Sequence, residues 1–318
     1  MEDQPAIDEQ TPPAPRPMWR RKRWGLLGLL ALGLALAWFS RKDIADNFIA
    51  RELADRGIPA TYKVQSVGLG RQVLADLVIG DPARPDFTAE RIEVETANAW
   101  GLPGLGRITL VRPRLYGTLR DGKVSFGKLD PLIFTGSDEP PQLPDLDIAL
   151  VDGRARIDSD FGLIGIKAEG RGRLPQGFAG TLAAVAPSLA LNGCAARGAS
   201  LYAQVRTAAG QPSFDGPLRL AGLDCAGARL GPSAVNLKAR LDRHFDGAEG
   251  RLALDGGAVT ADGVRLASGK GKVRFVWRKQ ALTAHYDLDA ARLASPQAAL
   301  AGLSAKGVLR ATDDFSRL

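Results

Sequence analysis

The chain contains two histidines, His244 and His285, and two cysteines, Cys194 and Cys225. These residue types bind metals or serve as nucleophiles and general bases. Their placement supports none of these roles. Neither histidine has a second ligand at metal-binding spacing. His285 lies in "ALTAHYDLD", on the side shared by Thr283 and Asp287, where an exposed strand position is the simpler reading. No Gly-x-Ser-x-Gly elbow occurs. The stretch "ASGKGK" at 267–272 lacks both the P-loop spacing and a following helix. Acidic residues are spread along strand-like segments instead of converging in pairs. The reading is that the protein is not an enzyme, and no cofactor or metal is expected.

The cysteines sit in similar settings, "LNGCAARGASL" and "LAGLDCAGARL". Two cysteines cannot make a zinc site alone, and they do not form a C-x-x-C pair. A Cys194–Cys225 disulfide is the preferred reading, with two free buried thiols as the alternative. The formal net charge is +7. Part of it is the cluster Arg20, Arg21, Lys22 and Arg23; the rest is scattered. No basic groove interleaved with stacking aromatics is visible, so nucleic acid is not an expected partner.

The N-terminus reads as a membrane anchor. Residues 1–23 form an acidic, Pro-rich tail that ends in the basic cluster. Residues 24–40 form the span, with an uncharged run from Trp24 to Phe39 that reaches roughly 24 Å as a helix, slightly short of the ~30 Å hydrocarbon core. Trp24 and Trp38 suit the two interfaces, and the flanking basics absorb the mismatch. Basic residues precede the span, which places the tail in the cytoplasm and the body in the periplasm of a Gram-negative cell. A cleaved signal peptide ending at Ala35-Leu36-Ala37 is the rival reading. Against it, the apolar run continues through Trp38 and Phe39 before Arg41 and Lys42. Residues 41–58 predict an amphipathic helix, with Ile44, Phe48, Ile49 and Leu53 on one stripe and Gly57 and Pro59 as stops.

From Thr61 onward the hydrophobic period is two. "TYKVQSV", "ERIEVET", "AVNLKARLD" and "KVRFVW" all alternate. Asp121-Gly122, Asp152-Gly153, Asp255-Gly256 and Asp262-Gly263 read as turns, with "DIALVDGRARID" as a hairpin. Residues 178–190 lean towards strand, and "ASPQAALAGLSAKG" is ambiguous. Residues 61–134 are read as a first β segment, 135–147 as a Pro-rich acidic loop, and 148–318 as a second β segment. The predicted fold is therefore mainly β: a long, curled, mostly antiparallel sheet with one polar and one apolar face. The apolar face is assigned to Val111, Leu115, Leu119, Val124, Phe126, Val235, Leu237, Leu241, Val273, Phe275, Leu282 and Leu288. The 37 glycines and few aromatics disfavour a densely packed core.

The basic anchor, "IADNFIARELADRGIPATYKV", "LVIGDPARPDFTAERIEVE" and "ITLVRPRLYGTLRDGKVSFGKLD" together resemble the AsmA-like proteins of Gram-negative envelopes, in the YdbH branch. The resemblance implies an open trough of sheet, a β-taco, rooted in the inner membrane. It also implies phospholipid movement towards the outer membrane, with acyl chains against the apolar face. Members of that branch are usually longer. The resemblance therefore implies completion by the remainder of a longer chain or by an outer-membrane partner. A second expectation is an anchored scaffold for outer-membrane protein assembly, acting through exposed strand edges. A closed barrel around one small ligand fits poorly, because the strands are too many for it.

Overall fold

The computed structural model describes residues 57–312, apart from Leu69, 100–101, 134–139, Pro141, Asn192 and 279–280. The proposed tail, span and most of the amphipathic helix, with Arg20, Arg21, Lys22, Arg23, Trp24 and Trp38, lie outside the described residues. No helix among the described residues is long and apolar enough to cross a membrane.

The alternation from Thr61 onward becomes strand after strand. In chain order these are β1 (Ala60–Val67), β2 (Arg71–Asp81), β3 (Arg84–Ala99), β4 (Leu102–Val111), β5 (Arg114–Arg120) and β6 (Lys123–Ser125). After a helical turn, Gly127–Leu129, and one turn of helix α1 (Asp130–Ile133) come β7 (Asp147–Ser159), β8 (Gly162–Arg173), β9 (Gln176–Leu191) and β10 (Cys194–Ala208). Next are β11 (Gln211–Leu220), β12 (Gly222–Cys225), β13 (Ala228–Leu230), β14 (Ser233–Leu241) and β15 (Gly247–Gly256). The last five are β16 (Val259–Ala261), β17 (Val264–Leu266), β18 (Gly269–Arg278), β19 (Ala281–Ala294) and β20 (Ala299–Thr312). Residues 178–190 and the ambiguous stretch after Ala299 are thus strand.

All twenty belong to one sheet. Pairing runs from β1 through β2 and β3 to β4 and β5, then to β7, β8, β9 and β10, and on through β11, β14, β15, β18 and β19 to β20. The short strands β12, β13, β16 and β17 extend the same ladder along one margin. Asp121-Gly122 and Asp262-Gly263 carry positive φ at both residues, 51° and 72°, then 47° and 80°. That is the two-residue turn whose twist matches antiparallel strands.

β7 pairs in parallel with both β4 and β5, so the strands before and after residues 135–147 belong to one sheet. Two expectations need correction. Asp152-Gly153 is not a hairpin turn. Asp152, with φ 48°, is a bulge inside the continuous strand β7, where the register with β8 shifts between Leu150 and Gly153. It lies beside a matching break in the neighbouring chain, where Arg112 has φ 49° and its N–H donates to the Val151 carbonyl at 2.8 Å. Asp255-Gly256 likewise ends a strand instead of turning it, with Asp255 paired to Ala234 and Lys270.

A second line of interruptions sets off the margin. It passes Gly198, Ala221, Gly231-Pro232, Gly257-Ala258 and Ala267-Ser268 and is stitched by backbone bonds, Ala221 N–H to Arg197 at 3.0 Å and Gly231 N–H to Ala258 at 2.8 Å. Cys194 and Cys225 face each other in this margin and are bonded as a disulfide.

Close backbone approach fixes the β10–β11 register at Gly216, where any Cβ would collide with the Tyr202 carbonyl oxygen. Gly216→Val should force these strands apart and cost about 1–3 kcal/mol. A urea titration followed by far-UV circular dichroism measures this as a lowered midpoint.

Candidate functional site: an uncovered apolar face

Residues directly opposite one another on neighbouring strands share a face. Following the register sideways therefore lays out each face as rows. One row runs Leu201, Leu218, Val235, Leu254, Gly271, Leu288. The next holds Gly216, Leu237, Leu252, Val273 and Tyr286. A third runs Val205, Phe214, Ala239, Gly250, Phe275, Ala284. A fourth holds Leu241, Ala248, Trp277 and Leu282. No member carries a charge, and Tyr286 and Trp277 are the two with a polar group.

Most of these positions are half-buried, and Ala284 is buried. Contacts between elements follow sheet neighbours, and the one addition of note is the helical turn Gly127–Leu129 against β2 and β3. No large side chain among the described residues is fully buried. Leu218 is 37% exposed although it has a strand on each side.

The glycines explain how such a face stays level. A Cβ at Gly250 would come within 2.8 Å of the Phe275 ring, and one at Gly170 within 2.6 Å of the Phe178 ring. Gly271 stands in the same relation to Leu288, and Gly307 to Tyr286. Large side chains thus lie flat over the gaps left by glycines on adjacent strands. The face is apolar and of low relief.

At the β1–β3 end the same face is closed. Ile58, Leu77, Ile79, Ala89 and Leu129 form a buried cluster, with Phe87, Leu115 and Phe126 packed against it. Asp130 holds the helical turn in place by accepting from the Ser125 hydroxyl at 2.6 Å and the Phe126 N–H at 2.5 Å. The Lys128 N–H adds a bond to Asp86 at 2.9 Å.

The predicted residues divide accordingly. Val235, Leu237, Leu241, Val273, Phe275, Leu282 and Leu288 lie in the open rows. Leu115 and Phe126 pack in the closed cluster. Leu119 and Val124 oppose each other, with Val124 exposed. Val111 is a correction, because it pairs with Arg91 and Val151 on the polar face. The left-handed Arg112 inserts one residue and reverses the phase between Leu110 and Leu115. Leu201, Leu218, Leu252 and Leu254 were missed, although "ASLYAQV" and "RLALD" alternate as plainly as the stretches that were read.

The opposite face carries the charge, much of it paired across strands. Arg107 donates twice to Asp147 at 3.0 Å, Lys238 meets Asp215 at 3.0 Å, and Lys306 meets Asp287 at 3.0 Å. The Arg173 guanidinium bonds to Asp145 and holds that carboxyl below its ordinary range. The Asp121 N–H, at 2.7 Å, does the same for Asp160 and closes the β5–β6 turn. His285 is exposed opposite Arg274 on this face. No cluster of metal-binding side chains occurs among the described residues.

Two measurements probe this architecture. Replacing both Cys194 and Cys225 by Ala should lower stability by about 3–4 kcal/mol on the chain-entropy account, read by urea unfolding with and without reductant. Because Asp145 and Asp160 have depressed folded pKa values, the stability they contribute is complete above the unfolded value near 3.8 and is lost as pH falls below it. Acid titration of Asp160→Asn should therefore converge with the unsubstituted protein below that pH and differ from it above.

The sequence matches the family described as YdbH-like, intermembrane phospholipid transport protein YdbH, over residues 29–313. No curated protein and no solved structure matches the chain. The match over most of its length places the chain, a single large and mostly antiparallel sheet with uncharged rows on one face, in the YdbH-like family of intermembrane phospholipid transport proteins.

Proposed function

We propose that the protein conducts phospholipid between the inner and outer membranes, holding acyl chains on its open apolar rows while head groups remain in water. The observation that carries this is the set of uncharged rows from β10 to β19, with no layer of the described chain above them. Counting the flanking strands, β7 to β20 is ten strands in the pairing order, or about 43 Å at 4.8 Å per step. That is close to three times the hydrocarbon depth of one leaflet, about 15 Å.

Each methylene withdrawn from water stabilises the complex by about 0.8 kcal/mol. The rows repeat the same mixture of Leu, Val, Ala, Gly and Phe, so this gain is similar at every step. A lipid can shift along such a path without meeting a deep trap. No bond is made or broken in this reading, so no catalytic group is required.

In this reading the N-terminal segment 24–40 is a single-pass inner-membrane anchor, with Arg20, Arg21, Lys22, Arg23, Trp24 and Trp38 at the interfaces, and the body is periplasmic. The Cys194–Cys225 disulfide suits that oxidising compartment.

A photo-crosslinking amino acid at Leu237 should capture phospholipid in intact cells, and one at Arg219 on the opposite face should not. Equal capture at the two positions, or none at Leu237, would refute the path.

A further inference from the structure

The charged face pairs part of its charge across strands, and one row gathers cations that are not all paired. Along a single row, Lys238, Arg251, Arg274 and His285 stand directly opposite one another on β14, β15, β18 and β19. Like charges directly opposite on neighbouring strands destabilise a sheet. The usual remedy is a carboxylate, and Lys238 has one in Asp215 at 3.0 Å. Arg251 and Arg274 have neither an ion pair nor a hydrogen bond among the described residues. The nearby acids are engaged elsewhere: Asp287 with Lys306 at 3.0 Å, and Glu249 towards Arg278 at 3.9 Å.

Hollows flank this row on both sides. One, of about 680 Å³, lies towards Arg206 and Arg240, and the other, of about 1000 Å³, lies towards Lys272. Both are lined by Lys238, Arg251 and Arg274. Two guanidiniums on adjacent strands border the same hollows, and the guanidinium fork is the group suited to bidentate binding of a tetrahedral oxyanion. From Lys238 to His285 the row spans three strand spacings, about 14 Å, which is room for two phosphoryl groups side by side.

We propose that Arg251 and Arg274, flanked by Lys238 and His285, form a site for a polyanion bearing two phosphoryl groups. The site is on the face opposite the apolar rows, so it is separate from the acyl-chain path and does not depend on it. Recognition is of the phosphoryl groups themselves, whether they are carried by a soluble molecule or by a lipid head group.

The test uses the full chain in detergent, titrated calorimetrically with inorganic pyrophosphate, with sodium chloride at matched ionic strength as the control. Saturable binding that weakens about ten-fold or more in Arg251→Gln/Arg274→Gln, while Arg219→Gln on the same face leaves it unchanged, supports the site. In low salt and without ligand, the double variant should also melt at a temperature no lower than the unsubstituted protein, because it relieves a repulsion. A parallel arm adds phosphatidylcholine vesicles with and without a bis-phosphoryl lipid. Pull-down by the doped vesicles, lost in the same double variant, identifies a lipid-borne source, whereas pyrophosphate binding alone identifies a soluble one. Absence of saturable pyrophosphate binding, or equal binding by the double variant, overturns the proposal whatever the vesicles do.

Discussion

The structure depends on one constraint: strand register keeps the uncharged rows on one side of the sheet and the charged side chains on the other. A slip of one residue in a strand such as β14 would carry Lys238 and Arg240 onto the apolar face and Leu237 onto the charged one. The glycines at 216, 250 and 271 guard against such slips, because only they let a neighbouring backbone or side chain occupy the space where a Cβ would stand. The charged pairs on the reverse side add directional preference, since Lys238 meets Asp215 and Lys306 meets Asp287 only in this register.

A sheet with one uncovered face lacks the second layer that normally supplies most of the apolar burial in a domain. Here the burial that exists is lateral, between side chains on adjacent strands, and it leaves residues such as Leu218 and Leu309 more than a third exposed. Two local devices compensate at the edges. The Leu129 cluster closes the β1–β3 end with a small protein core, and the disulfide ties β10 to β12 in the margin, where the strands are only three or four residues long.

Much of this was legible from period-two alternation, which located β14, β18 and β19 and assigned Leu237, Val273 and Leu282 to the apolar side. Two kinds of feature were not. The Asp152-Gly153 pair looks identical in sequence to the true turn at Asp121-Gly122. What separates them is non-local: β7 must continue past Asp152 to pair in parallel with β5. Val111 failed for the same reason, because the phase reversal at Arg112 exists only to follow the bulge beside it. The draping of Phe275 over Gly250 was equally invisible, since it joins residues of different strands. The high glycine content hinted at loose packing, whereas its effect is a level surface.

The closed and open parts of the apolar face bear on how a lipid would reach it. Leu115 and Leu237 belong to the same side of the same sheet, yet only Leu115 packs against the buried cluster. An acyl chain arriving from the β1 side would have to displace Leu129 or enter from the side, past β7. Displacement breaks the Asp130 bonds to Ser125 and Phe126 and the Asp86 bond to Lys128, together with the packing of the cluster itself. Lateral entry breaks none of these. On the proposed lipid path, the cheaper route therefore starts beyond the stopper, and the β1–β3 end serves as a rigid footing for the sheet instead of as its mouth.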